Sequence, residues 1–117
     1  LMLQQPEPGD YVLATGENHS VREFVELAFR QIGRQIEWRG QGCGEEGFDA
    51  ATGERLVAID PKFFRPIEIN ATRGDASKAR RVLGWTNRVS FAGLVSEMVE
   101  ADIVRLERER LSSAGAE

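Results

Sequence analysis

Two charged residues near a proline in the middle of the chain have the types and spacing to bind a nucleotide. They lie in the stretch FFRPIEIN, Phe63 to Asn70. Arg65 directly precedes Pro66, which stiffens the backbone, so its guanidinium can be aimed at a phosphate and donate two parallel hydrogen bonds. Glu68 accepts hydrogen bonds only when ionised, and this suits a pair of hydroxyl donors such as a ribose diol.

The same two residues have a plainer interpretation, which residue types alone favour. An arginine and a glutamate three positions apart at a turn can form a surface ion pair, and such pairs contribute little to stability. At this level, Arg65 and Glu68 are therefore either a nucleotide-binding pair or a surface ion pair.

A glycine-rich stretch, GCGEEG from Gly42 to Gly47, fits the dinucleotide-binding pattern G-x-G-x-x-G. That pattern binds a pyrophosphate only where a strand precedes it and a helix opens on it. The residues after Gly47 are too short and too broken by Gly53 to form a helix. We therefore interpret the match as coincidental, within a flexible hairpin loop, and Cys43 as a loop residue without a redox role.

Other catalytic or metal-binding constellations are scarce in the sequence. His19, the only histidine, precedes a helix and has no nucleophile beside it in sequence. One histidine and one cysteine far apart do not make a zinc site. Asp102 falls near the end of an apolar helical stripe, where an edge position explains it. We assign no catalytic, cofactor-binding or metal-binding residue to this chain.

The composition is that of one ordinary globular domain. The chain has 117 residues, of which 41% are hydrophobic and 29% charged, and its net charge of −4 argues against nucleic acid and anionic membranes as partners. A single cysteine permits no internal disulfide, so we expect a reducing, cytoplasmic location. Because the chain opens on LMLQQ, which resembles the last turn of a helix, we expect it to have been cut from a longer protein.

Local patterns predict strands and helices in alternation. Tyr11–Thr15 is a predicted strand, and Ser20 opens a capping box with Glu23 for a helix that Gly33 ends. Residues 35–39 form a second predicted strand, residues 40–53 a loop, and residues 55–59 a third strand that pairs with the second across that loop.

The second half predicts a turn or a single helical turn at KFF, a strand at residues 67–70 and two further helices. Asp75 is a predicted N-cap for a helix that buries Ala79, Val82 and Leu83 and ends at Gly84. Ser90 caps the last helix, whose predicted core stripe is Phe91, Leu94, Val95, Met98, Val99, Ile103 and Leu106. The expected fold is α/β in class: a small mixed α+β domain with three main helices and four or five short strands.

Four stretches of the chain resemble a known enzyme family. They are YVLATGENHSVREFVELAF, FFRPIEIN, GDASKARRVLGW and FAGLVSEMVEAD. The D-x-S-K-A-x-x-x-L-G-W pattern, Asp75 to Trp85, is similar to that of the extended short-chain dehydrogenases/reductases that act on nucleotide sugars. The combination of TGENHSVREF with RPIE resembles the GDP-mannose 4,6-dehydratases within that family, over essentially the whole chain.

The resemblance implies a function for residues 1–117 as a C-terminal nucleotide-sugar-binding domain, with GDP-mannose as its ligand. It implies an N-terminal NADP-binding Rossmann domain as partner, a homo-oligomeric parent enzyme, and Arg65 on the diphosphate with Glu68 on the ribose. The family's Tyr-x-x-x-Lys pair is missing, since Thr15 stands four residues after Tyr11. We therefore expect no NADP on this chain alone. An enzyme of UDP- or dTDP-sugars and a non-catalytic interaction module are the alternatives.

Overall fold

The computed structural model describes residues 1–65 and 71–114, and these fall into two compact units. The first unit comprises Leu1–His19 and Ile67–Ser90, and the second comprises Ser20–Pro66 and Phe91–Glu117. Three α-helices and a three-stranded antiparallel sheet form the secondary structure, which confirms the small mixed α+β class. Within residues 1–65 and 71–114, none of the helices combines the length and the apolar character that a membrane span needs.

Two helices of the second unit pack along each other. Helix α1 (Val21–Gln31) begins as predicted, because the Ser20 hydroxyl accepts the Glu23 N–H at 3.0 Å. Helix α3 (Phe91–Ala114) runs beside it, with the rings of Phe24 and Phe91 6.3 Å apart. Val95 is fully buried, whereas Leu94, Met98, Ile103 and Leu106 are 40–57% exposed. The predicted core stripe of α3 is therefore only partly correct.

The sheet of the second unit differs from its predicted form. Strands β1 (Ile36–Arg39), β2 (Glu46–Asp49) and β3 (Arg55–Ala58) pair in the order β1-β2-β3. The predicted loop over residues 40–53 is wrong in its second half, since β2 lies there. The predicted pairing of the outer strands is also wrong, because each outer strand pairs with β2 instead.

The sequence does not predict β2, because its residues, EGFD, lack the usual alternation of apolar and polar side chains. Its glycine is required by close packing. A Cβ on Gly47 would lie 3.0–3.2 Å from atoms of Ile36, Trp38 and Val57, two residues of β1 and one of β3. The central strand thus has a glycine where both neighbouring strands project side chains towards it.

The first unit contains the short helix α2 (Ser77–Leu83). Ala79 and Leu83 are buried as predicted, but Val82 is 44% exposed, which corrects the third predicted core position. The N-cap is Ala76 and not Asp75, although the Asp75 carboxylate accepts the Ser77 N–H at 2.9 Å. Gly84 ends the helix with φ +62°, the left-handed conformation that glycine adopts without strain.

The N-terminal segment of the first unit forms no strand, so the strand predicted for Tyr11–Thr15 is wrong in the described structure. Two side chains of α2 hold this segment instead. Lys78 donates to the Asp10 carbonyl and Arg80 to the Thr15 carbonyl, each at 2.9 Å. The strand predicted for residues 67–70 lies outside the described residues. The opening LMLQQ forms a single 3-10 turn at Met2–Gln4.

Candidate functional site

Arg65 follows directly from a capped turn at the end of the sheet. After β3, a 3-10 turn covers Pro61–Phe63, where the sequence predicted a turn or a single helical turn at KFF. The Asp60 carboxylate accepts the Lys62 N–H at 2.9 Å and so caps this turn. Arg65 is exposed and lies two residues after Phe63, the last residue of the turn. Its guanidinium is therefore carried on a short, hydrogen-bonded stretch of backbone and is open to solvent.

The second residue of the predicted pair, Glu68, lies outside the described residues. Among the described residues, Arg65 forms no ion pair with a carboxylate. No described acidic side chain neutralises the charge that would attract a phosphate.

A polar cluster that the sequence did not predict joins α1 to the sheet within the second unit. We call it the α1–sheet clamp and define it as Arg22, Glu26, Trp38 and Glu45. The Arg22 guanidinium lies 4.6 Å above the Trp38 ring and donates to Glu45, while the Trp38 indole N–H donates to Glu26 at 2.8 Å. The hydrogen bond to Glu45 raises the pKa of Arg22. The spacing of Arg22 and Glu26, one helical turn apart, was the signal available in the sequence.

A polar cleft of about 310 Å³ lies within the first unit. It is lined by Gly16, Arg73, Gly74, Asp75, Ala76 and Arg80. The backbone N–H of Ser77 lowers the pKa of Asp75, and the two arginines add to this effect. Because the ionised Asp75 carboxylate lines the same cleft as Arg73 and Arg80, it offsets their attraction for an external anion. We therefore assign no ligand to this cleft.

The glycine-rich match to the dinucleotide pattern has the wrong structural context. Gly42–Gly44 forms a 3-10 turn, and the chain continues into β2 at Glu46. The pattern needs a helix N-terminus to receive a pyrophosphate, and a strand follows instead. The prediction that no helix opens on GCGEEG is confirmed, and Cys43 is exposed in that turn.

The remaining candidates of the sequence, His19 and Asp102, lie at the surface. His19 Nε2 lies 3.4 Å from a Glu17 carboxylate oxygen. Asp102 accepts a hydrogen bond from Arg105 at 3.0 Å on the exposed side of α3, as its edge position suggested. Within residues 1–65 and 71–114, no group of three histidine, cysteine or acidic side chains could hold a metal ion.

Comparison with known proteins gives one consistent result. Residues 1–98 match the sequence model of the family described as GDP-mannose 4,6 dehydratase. A Drosophila melanogaster protein named GDP-mannose 4,6 dehydratase is 52% identical over 112 residues, which cover 96% of this chain and 28% of that protein. A protein of the same name from Sinorhizobium fredii is 54% identical, over 94% of this chain and 31% of that protein. A protein of the same name from Homo sapiens is 50% identical, over 88% of this chain and 28% of that protein. The chain therefore spans about three tenths of the length of these curated relatives.

Proposed function

Since the chain belongs to the GDP-mannose 4,6-dehydratase family, we propose that it forms the nucleotide-sugar-binding part of an enzyme that converts GDP-mannose to GDP-4-keto-6-deoxymannose. The observation that carries this proposal is the match of residues 1–98 to that family, together with identities of 50–54% to three of its members. The alternatives, an enzyme of UDP- or dTDP-sugars and a non-catalytic module, have no such support.

In the proposed enzyme, Arg65 binds the diphosphate of GDP-mannose and Glu68 binds the ribose hydroxyls. The exposed position of Arg65, after a capped turn and before Pro66, supports this role. A guanidinium presents two N–H groups side by side, so it can contact two phosphate oxygens at once. Glu68 is proposed on its residue type and its spacing from Arg65.

The chemistry belongs to a part of the enzyme outside this chain. In the proposed reaction the hexose is oxidised at C4, water is lost across C5 and C6, and a hydride returns to C6, for which NADP is the hydride carrier. The described residues do not fit NADP, because the glycine-rich stretch leads into β2 and not into a helix. We therefore place NADP on an N-terminal Rossmann domain of the same protein, which we expect to be a cytoplasmic homo-oligomer.

Isothermal titration of GDP-mannose into the full-length protein tests the proposal. Arg65→Ala should cost about 1.5–3 kcal/mol of binding free energy, the usual range for hydrogen bonds to charged groups. That corresponds to roughly 10- to 150-fold weaker binding. Arg65→Lys should recover only part of the loss, because an ammonium cannot form the two-pronged contact. Glu68→Gln should weaken binding less than Glu68→Ala, since it keeps one acceptor oxygen.

The matched control is Arg105→Ala, another exposed arginine of the second unit, which pairs with Asp102 on α3. It should leave the affinity for GDP-mannose unchanged, and all variants should keep their affinity for NADP. If Arg65→Ala binds GDP-mannose as tightly as the unmodified protein, Arg65 is a surface residue and the assignment fails. Tighter binding of a UDP- or dTDP-sugar than of GDP-mannose would favour the corresponding alternative.

A further inference from the structure

The turn that leads to Arg65 is exposed and is held by hydrogen bonds. Residues 61–65 are all exposed, and Phe63 is 73% exposed. The turn instead has three N–H donors in succession that are all satisfied within it. Lys62 donates to the Asp60 carboxylate at 2.9 Å, Phe63 to the Asp60 carbonyl at 3.0 Å, and Phe64 to the Pro61 carbonyl at 3.2 Å.

Prolines at both ends restrict the backbone further. Pro61 opens the turn and Pro66 follows Arg65, so only four residues between them have a freely rotating φ. Three of those four, Lys62 to Phe64, donate the hydrogen bonds of the turn. Asp60 accepts two of the three bonds, one with its side chain and one with its carbonyl. The Asp60 carboxylate is the only side chain among the bonding groups.

We propose that Asp60 is a positioning residue for Arg65, holding the capped turn that aims the guanidinium at the ligand. This inference rests on the proposed function, because it presumes that Arg65 binds the diphosphate of GDP-mannose. Without the cap, the Lys62 N–H loses its acceptor and is left to water, and the 3-10 turn competes with other backbone conformations. Binding of the ligand by Arg65 must then also order this backbone, an entropy cost that is absent when the turn is already capped.

The test is a double-mutant cycle in the full-length protein, with GDP-mannose affinity as the readout. Asp60→Ala should weaken binding roughly 2- to 30-fold, the range expected for loss of a capping side chain. Asp60→Asn should restore most of the affinity, since its amide oxygen can accept the same N–H. In the Arg65→Ala background, Asp60→Ala should have no further effect, because the residue acts only through Arg65.

Steady-state kinetics provide a second readout that a general loss of stability would not give. Asp60→Ala should raise KM for GDP-mannose while kcat and the affinity for NADP change little. The matched control is Asp75→Ala, which removes a carboxylate that accepts an N–H two residues on at the same 2.9 Å distance, but in the first unit. It should leave KM for GDP-mannose unchanged.

These measurements test the role of Asp60 separately from the proposed function on which it rests. Equal losses from Asp60→Ala with and without Arg65 would show that Asp60 acts on something else, and the inference would fall while the function stands. Failure of Asp60→Asn to restore binding would point to the charge of Asp60 and would also overturn it, as would unchanged affinity in Asp60→Ala. If Arg65→Ala itself binds normally, the proposed site and this inference fail together.

Discussion

Replacing Gly47 with alanine should destabilise the protein, although in the middle of a strand alanine is ordinarily more stabilising than glycine. Gly47 lies in the middle of β2, where its added Cβ would lie 3.0 Å from Ile36 Cγ2, 3.1 Å from Val57 Cβ and 3.2 Å from Trp38 Cζ3. Carbon atoms at their best separation are about 3.5–4.0 Å apart. A rotamer change cannot move Val57 Cβ away, since that atom is bonded to the backbone, so the strands themselves must shift.

The expected size of the effect follows from two opposing terms. Overpacking a well-packed site typically costs about 1–3 kcal/mol. The unfolded chain loses conformational freedom when glycine becomes alanine, and this returns about 0.4–1 kcal/mol. From the middle of both ranges, about 2 and about 0.7 kcal/mol, we expect Gly47→Ala to lower the free energy of unfolding by about 1.3 kcal/mol. With a urea slope of about 1.5 kcal/mol/M, the midpoint should fall by roughly 0.9 M.

Urea unfolding of the 117-residue chain, followed by circular dichroism and tryptophan fluorescence, measures this change. Gly44→Ala is the matched control, because Gly44 has an ordinary φ and a Cβ there would meet no heavy atom within 4 Å. This control should raise the free energy of unfolding by about 0.4–1 kcal/mol. Equal or greater stability of Gly47→Ala would refute the close packing described for β2.

Three further outcomes follow from the sequence and structure. The purified 117-residue chain should not turn over GDP-mannose in the presence of NADP, since it lacks a Tyr-x-x-x-Lys pair and a cofactor loop; measurable product by chromatography would contradict the proposed division of roles. The chain should self-associate at high concentration through exposed apolar residues such as Leu94 and Met98, which are 48% and 46% exposed. Changing both residues to glutamine should reduce the self-association. A strictly monomeric light-scattering profile for the unmodified chain would contradict the prediction. Folding lowers the pKa of Asp75 below its ordinary 3.8, so the ionised carboxylate stabilises the folded chain above pH 3.8, and this stabilisation is lost as the pH falls through the lower folded pKa. The difference in urea midpoint between the unmodified chain and Asp75→Asn should therefore disappear on acidification. A difference that persists at the lowest pH would contradict this.

The helices could be predicted because their signals are local. Ser20 with Glu23 marks the start of α1, and Gly84 marks the end of α2, each within a few residues of chain. Burial was harder to predict, since it depends on what lies opposite each face. Val82 and Leu83 are adjacent and both apolar, yet only Leu83 is buried.

The strands were predictable only where the pattern of side chains is regular. The residues of Ile36–Arg39 alternate, which predicts a strand, whereas Glu46–Asp49 has the glycine and acidic residues typical of a loop. The glycine in β2 is required by side chains of the neighbouring strands, which no local pattern reveals. Tyr11–Thr15 has strand-like residues but no ladder partner in the described structure. Strand propensity without a partner strand does not make a strand.

At the candidate site, the sequence led to Arg65 but not to what holds it. The Arg-Pro dipeptide pointed to a stiff backbone, and the capped turn before it agrees with that expectation. Glu68 is still a prediction. The α1–sheet clamp was missed because Arg22 and Trp38 are brought together by the fold, and their separation in sequence carries no periodic signal.

The order β1-β2-β3 also has a kinetic consequence. Every strand pair joins neighbours in sequence, and the most distant partners in the ladder, Ile36 and Asp49, are only 13 positions apart. Contacts of this kind close small loops, and β-hairpins typically form in about 1–10 microseconds. The packing of α1 on α3 joins residues such as Gln31 and Ser96, which are 65 positions apart, so its loop-closure cost is larger. The sheet is thus the part of the second unit with the lower loop-closure cost, and we expect the packing of α3 on α1 to form after it.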